Sequence, residues 1–179
     1  VNGHASGPLA MAQVAMRSVE MQRATSSRAF GPAAARAAAS ATEPVWRAVA
    51  AARASFSSWA KTTPAERSAL LLKIADAVEA DLENLAQLEA LNCGKPINEV
   101  RNEEIPAVAD CFRYYAGAVR NMHGPVAGAY MEGHTSMIRR DPIGVVASNA
   151  PWNYPIMMMA WNLAPALDSC NTVIMKPSE

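Results

Sequence analysis

The feature that most restricts this chain is a pair of short apolar runs with a helical segment between them. "IGVVAS", starting at Ile143, and "NTVIMK", ending at Lys176, are almost wholly apolar. Runs of this kind suit strands of a parallel sheet, whose two faces are both covered. Between them, Pro155 to about Leu167 has helical length and spacing. A strand–helix–strand segment of this size predicts two parallel strands joined by a right-handed crossover. The fold class is therefore α/β. Two strands alone leave edges and faces without partners, so the sequence reads as the front part of a longer sheet domain.

The residues before this unit follow helical periods. Thr42 with Pro44 predicts a helix start, followed by Val45, Val49, Ala52, Phe56 and Trp59 on one stripe. "TTPAER" is a capping box: Thr63 as cap, Pro64 at the first helical position, Glu66 three residues on. The stripe Leu70, Leu71, Ile74, Val78, Leu82, Leu85 carries that helix to about Ala90, and Gly94 is its left-handed stop. A third helix is expected from Asn98 to Arg120, with a kink or restart at Pro106. "HGPVAG" reads as a turn and "TSMIRR", Thr135 to Arg140, as a strand broken by Asp141-Pro142. Residues 1–41 differ from the rest, being rich in Ala, Met, Arg and Ser with Glu20 as their sole acid. They read as a poorly ordered leader or as a mitochondrial transit peptide, with the organised domain over residues 42–179.

Charge and cysteine content narrow the setting. Sixteen basic and sixteen acidic residues balance, without the basic surplus that nucleic acid or an anionic membrane demands. No apolar run approaches the roughly 18–20 residues of a membrane span. Cys93, Cys111 and Cys170 are odd in number, widely spaced and without zinc spacing. A reducing, cytoplasmic setting is the expectation, with the mitochondrion as the alternative if the leader is a transit peptide.

In open α/β sheets ligands bind at the carboxyl ends of the strands. Here those ends read "SNAPWN" and "KPSE". No G-x-G-x-x-G marks the first turn, so composition and periodicity leave the ligand unnamed. Asn153, within the apolar stretch "APWNYPIMMMAW", is by itself either a helix cap or a hydrogen-bond donor for a ligand. Lys176 and Glu179 are either an exposed ion pair or part of a binding edge. Tyr154, Met157, Met158 and Trp161 follow i, i+3, i+4, i+7 and share a helix face, which is either core or the wall of a site. Asp110 is either a solvated acid or a partner for a cation.

"RRDPIGVVASNAPWNYPIMMMAWNLAPALDSCNTVIMKPSE" strongly resembles the aldehyde dehydrogenase superfamily, with its P-x-G-V strand, P-W-N-[FY]-P, W-x-L-A-P-A-L and N-T-V-x-x-K-P-S-E in order. "FSSWAKTTPAERSALLLKIADAVE" and "NCGKP" resemble the same family's N-terminal helices, so the likeness spans about Thr42 to Glu179. "GHTSMIRRDPIGVV" with "APWNYP" looks most like the branch oxidising 4-aminobutyraldehyde and related aminoaldehydes. The resemblance implies the start of a Rossmann-like NAD-binding domain. It implies that Asn153 donates to the oxyanion of the thiohemiacetal. It implies that Lys176 and Glu179 hold the adenosine ribose, with Ala150, Pro151, Trp152, Pro177 and Ser178 against the cofactor. The charge of Glu179 would repel a 2′-phosphate, so NAD is expected over NADP. Tyr154, Met157, Met158 and Trp161 become candidate walls of the aldehyde tunnel, and Asp110 a candidate partner for a substrate ammonium. Relatives of this kind are homo-oligomers, dimers or tetramers.

Family parts are also missing from these residues. In relatives the glycine-rich turn, the general-base glutamate and the nucleophilic cysteine lie beyond the position of Glu179, so the segment alone is expected to be inactive. Cys170 stands where relatives carry glycine; at positive φ it would be strained. Asn149 and Asn162 are further departures. The competing expectation is a non-catalytic module that binds a nucleotide or docks onto a subunit.

Overall fold

The computed structural model describes residues 32–122 and 128–176, with side chains from Val45 onward except that of Tyr130. The first helix, α1, runs from Pro32 to Trp59. It begins upstream of the expected start at Thr42, because residues 33–41 are largely alanine, the strongest helix former, and continue the turn pattern backward. The stripe predicted on it holds toward its C-terminal end: Val49, Ala52 and Phe56 are half-buried and Trp59 buried, whereas Val45 is exposed.

The capping box forms as the sequence predicts. Thr63 accepts from the Glu66 N–H while the Glu66 carboxylate accepts from the Thr63 N–H at 2.7 Å. The helix it starts, however, is two helices: α2, Pro64–Ala80, and α3, Leu82–Cys93. At the break Asp81 leaves helical geometry (φ −107, ψ 19), and its side chain accepts from Asn84 Nδ2 at 2.6 Å. A short acidic side chain that takes up nearby donors competes with the helical ladder. Gly94, at φ 69, closes α3 as a left-handed cap.

The predicted third helix contains a defect at Pro106, in a specific form. Helix α4, Ile97–Glu99, passes into a π turn, Val100–Glu104, and then into α5, Ile105–Ala118, ending in a 3₁₀ turn, Val119–Asn121. The Ile105 N–H reaches back to Val100 O. A proline lacks the N–H the α ladder requires, and the wider turn just before it absorbs that loss.

Strand β1, Gly128–Met131, pairs antiparallel with β2, His134–Ser136. The expected strand over Thr135–Arg140 is thus far shorter, and its partner was not foreseen. Met137 and Ile138 are exposed, so no buried face holds the alternating pattern in a ladder. Of "HGPVAG", only Gly128 lies within the described residues. Strand β3, Val145–Asn149, pairs parallel with β4, Thr172–Lys176, and α6, Pro155–Asp168, connects them. The strand–helix–strand unit is as predicted. Its strands, though, are mostly half-buried rather than buried. Contacts from α1 and α6 cover them only in part.

The core lies mainly between helices. Leu71, Ala75 and Val78 of α2 pack with Val108, Ala109 and Phe112 of α5, and Ala160, Leu163, Ala164 and Leu167 of α6 close the third side. Each fully buried large side chain, such as Phe112 or Leu71, contributes about 1.5–3 kcal/mol. Alanines at 75, 109, 160 and 164, all fully buried, allow the helices to approach closely. Arg113 ties α5 to Glu79 and Asp76 of α2 at the surface. Thr172 donates to Ala52 O at 3.0 Å, fastening β4 to α1.

Candidate active site at the strand ends

The two predicted strand ends meet. Asn149 is the register partner of Lys176, and the ladder continues one bond further, with the Ala150 N–H donating to Lys176 O at 3.0 Å. Beyond the ladder, Pro151, Trp152 and Asn153 are exposed and turn the chain into α6. Trp152 presents most of its indole to solvent. Pro177, Ser178 and Glu179 lie outside the described residues.

Asn153 is neither buried nor the cap of the following helix. The cap position is Tyr154, whose carbonyl accepts the Met158 N–H at 2.8 Å and whose side chain forms no cap bond. Glu89 of α3 faces the first turn of α6. Burial pushes the Glu89 carboxyl up, and the Lys95 charge and the Ile156 N–H oppose that push. Lys95 stands 3.4 Å from Glu89 Oε1 and 2.8 Å from Glu104 Oε2, and its ammonium lies 3.9 Å from the centre of the Tyr154 ring. Burial pulls the Lys95 ammonium down, but its bond to Glu104 and the two carboxylate charges outweigh this and raise it. The Cys93 thiol donates to Trp152 O at 3.3 Å. Glu89, Lys95 and Glu104 were not singled out from the sequence. "NCGKP" carried the signal, but it reads locally as a helix stop.

The other candidates divide between two places. The inward face of α6 is Ala160, Leu163, Ala164 and Leu167, so the stripe Tyr154, Met157, Met158, Trp161 is not the main core face. Met157 packs against the core, Met158 is half-buried, and Tyr154 and Trp161 are exposed. Trp161 joins Asp110 at a hollow of about 560 Å³, lined also by Ala107, Cys111, Tyr114 and Tyr115. The structure thus brings two of the five substrate candidates together and adds a tyrosine pair, stacked edge to face at 5.2 Å, that sequence reasoning passed over.

The cysteines are all free thiols. Burial pushes the Cys93 thiol up, with Glu89 and Glu104 adding to it, and burial raises Cys111 as well. A raised thiol is a poor nucleophile at neutral pH. Among the described residues no group of three or more His, Cys, Asp or Glu is placed to hold a metal ion, and no helix is long and apolar enough to cross a membrane.

The sequence profile of the aldehyde dehydrogenase family matches residues 17–179, starting upstream of the segment that carries the motifs. The NADP/NAD-dependent aldehyde dehydrogenase PuuC of Escherichia coli (strain K12) is 44% identical over 135 residues, covering 74% of this chain and 27% of that protein. The betaine aldehyde dehydrogenase of Bacillus subtilis (strain 168) is 41% identical over 135 residues, with the same coverage of 74% and 27%. The crystal structure of PnpE in complex with nicotinamide adenine dinucleotide superposes with a TM-score of 0.70 at 45% identity, covering 73% of this chain and 26% of that one. The chain spans about a quarter of the length of the relatives it matches.

Proposed function

We propose that this chain, which belongs to the aldehyde dehydrogenase family, works as the N-terminal part of an NAD-dependent enzyme that oxidises an aldehyde to its carboxylic acid. The parallel pairing carries this reading. It sets Asn149, Ala150 and Lys176 side by side at the carboxyl edge of the sheet, with Asn153 exposed on the turn that follows. That edge is where open α/β sheets take their ligands.

The donor set at this edge suits a dinucleotide. Lys176 brings a cation, Asn149 an exposed amide and Trp152 an exposed indole. In this reading Lys176 and Glu179 hold ribose hydroxyls, and Ala150, Pro151, Trp152, Pro177 and Ser178 line the cofactor. When bound, the nicotinamide supplies the hydride acceptor. The carboxylate of Glu179 disfavours a 2′-phosphate and so favours NAD. Asn153 donates its amide N–H to the oxyanion that forms on the substrate carbonyl. A neutral, directional donor in a fixed place is what that step requires.

For the substrate we favour an aminoaldehyde such as 4-aminobutyraldehyde. Asp110 beside Trp161, Tyr114 and Tyr115 sets a carboxylate among aromatic rings, a combination suited to an ammonium group. In this reading Tyr154, Met157 and Met158, on the same helix but outside that hollow, line the path of the aldehyde. The active form in this reading is a cytoplasmic homo-oligomer, and the domain that carries the motifs is residues 42–179, with its first helix reaching upstream to Pro32.

The test is a chimera in which this segment replaces the matching 135 residues of the E. coli relative. Asn153→Ala should lower kcat about 10²–10³-fold, and unchanged kcat would overturn its role. Asp110→Asn should raise KM for 4-aminobutyraldehyde and leave an uncharged aldehyde of similar length unaffected. Equal effects on both would reject the aminoaldehyde assignment.

A further inference from the structure

The turn that carries Asn153 is gripped on both sides by the stop of α3. Gly94, at φ 69, closes that helix, and the residues on either side of it reach across to the turn. The Cys93 thiol donates to Trp152 O at 3.3 Å. The Lys95 ammonium lies 3.9 Å from the centre of the Tyr154 ring, within reach of a cation–π attraction. Lys95 is itself held. Glu104 accepts from it at 2.8 and 3.0 Å and Glu89 at 3.4 Å, and all three side chains are largely buried. Glu104 belongs in turn to the π turn before Pro106. Residues 152 and 154 are thus tied to other helices, whereas Asn153 between them is exposed and its amide makes no hydrogen bond among the described residues.

We infer that Lys95 is a positioning residue for Asn153: by holding the Tyr154 ring it fixes the neighbour that aims the amide, and it leaves the amide itself available to the reacting oxygen. The bond from Cys93 steadies the other neighbour, Trp152. The inference rests on the oxyanion role proposed above. An oxyanion donor acts through preorganisation, and an error of about 1 Å in its place costs up to ~10²-fold in rate. The turn has little support of its own. Tyr154, the cap residue of α6, forms no side-chain cap bond, and Pro151 and Pro155 bring no N–H to it. A lysine suits the task, because its ammonium can donate to two carboxylates and still present its charge to a ring. A neutral side chain of the same length does neither.

A double-mutant cycle in the chimera tests this. Lys95→Met keeps the stem and removes the charge. It should lower kcat about 10- to 100-fold with KM for NAD within about twofold, since the bond from Ala150 to Lys176 that closes the strand ends lies outside the contact. In the Asn153→Ala background, Lys95→Met should produce almost no further loss, because the group it aims is gone. An equal loss in both backgrounds would show that Lys95 acts on the fold or on the wall at Tyr154, and would overturn the inference alone. A silent Asn153→Ala would instead overturn the oxyanion reading, and the positioning role with it. Lys95→Met leaves two buried carboxylates without their cation. If it does not fold, Lys95→Met combined with Glu104→Gln takes its place in the cycle. That pair also removes the carboxylate nearest to Lys95, and the same comparison of backgrounds decides.

Discussion

The side-chain oxygen of Asn171 accepts the Gly144 N–H at 3.1 Å, and its amide donates to Ala166 O and Ser169 O. One side chain thus joins the end of α6 to the entry of β3, next to the first ladder residues Val145 and Thr172. Gly144 sits at φ 125, a conformation that only glycine adopts readily, and it is buried.

Asn171→Ala would leave that N–H buried without an acceptor. A stranded buried donor costs about 1–3 kcal/mol, so urea unfolding of the chain should show its midpoint falling accordingly. A midpoint unchanged from the wild type would mean that water replaces the amide at no loss. The effect should be on stability, since Asn171 lies at the opposite end of β4 from Lys176.

Cys170→Gly should stabilise the chain. The Asn171 N–H bonds Ala166 O at 3.0 Å and the Cys170 N–H bonds Leu167 O at 3.1 Å, the paired bonds of a Schellman closure of α6. The residue at its turning point takes a left-handed conformation, and Cys170 does so at φ 63, alone among the described non-glycine residues. A side chain in that region costs about 1–2 kcal/mol. A rise of that order in unfolding free energy is the expected result, and Cys170→Ala, which keeps a Cβ, should not reproduce it.

Cys170 also marks how far the sequence could be read. The resemblance, in which glycine fills this position, marked Cys170 as left-handed, whereas Gly94 betrays a helix stop unaided, because backbone sterics act locally on single residues. The capping box and the strand–helix–strand unit were legible for the same reason: their signals are local or periodic. The split at Asp81, the upstream start of α1 and the β1–β2 pairing were not legible. They depend on side-chain competition, on alanine propensity outweighing a plausible cap, and on a partner strand without strong pattern. Asn153 could be located from the sequence, but Lys95, which lies over the ring of the next residue, could not. Contacts between residues some 60 positions apart leave no spacing to read.

Arg67→Met should be strongly destabilising. Arg67 is buried at 6% exposure and donates to Thr62 O. Burial pushes the Asp168 carboxyl up, and the Arg67 charge opposes that push. Both groups keep one buried atom without a partner, Arg67 Nε and Asp168 Oδ1. Removing the cation takes away the charge that opposes burial of Asp168 and strands the Thr62 carbonyl that Arg67 meets, a loss of about 1–3 kcal/mol. A folded acid raised above its ordinary 3.8 binds protons that the unfolded chain does not. Its penalty is therefore full at neutral pH and relaxes as pH falls through the raised value toward 3.8. The deficit of Arg67→Met should accordingly narrow on acidification, and a deficit that stays constant with pH would assign the loss to packing.

Glu83 gives the opposite sign. Arg101 bonds it through Nε and Nη2, both at 2.7 Å, and Gln87 adds a third bond, so its carboxyl is lowered from 4.5 to about 2. An acid lowered in the folded state contributes stability that is complete above 4.5 and lost as pH falls toward 2. The pair is exposed, so the contribution is small and screened by salt. NMR titration of the Glu83 side chain in the chain should give a midpoint near 2, and Arg101→Gln should return it toward 4.5. The same substitution should flatten the acid limb of the stability curve between those values by lowering stability at neutral pH, more at low salt than at high salt. A Glu83 midpoint that stays low without Arg101 would transfer the effect to Gln87 and to the helix terminus.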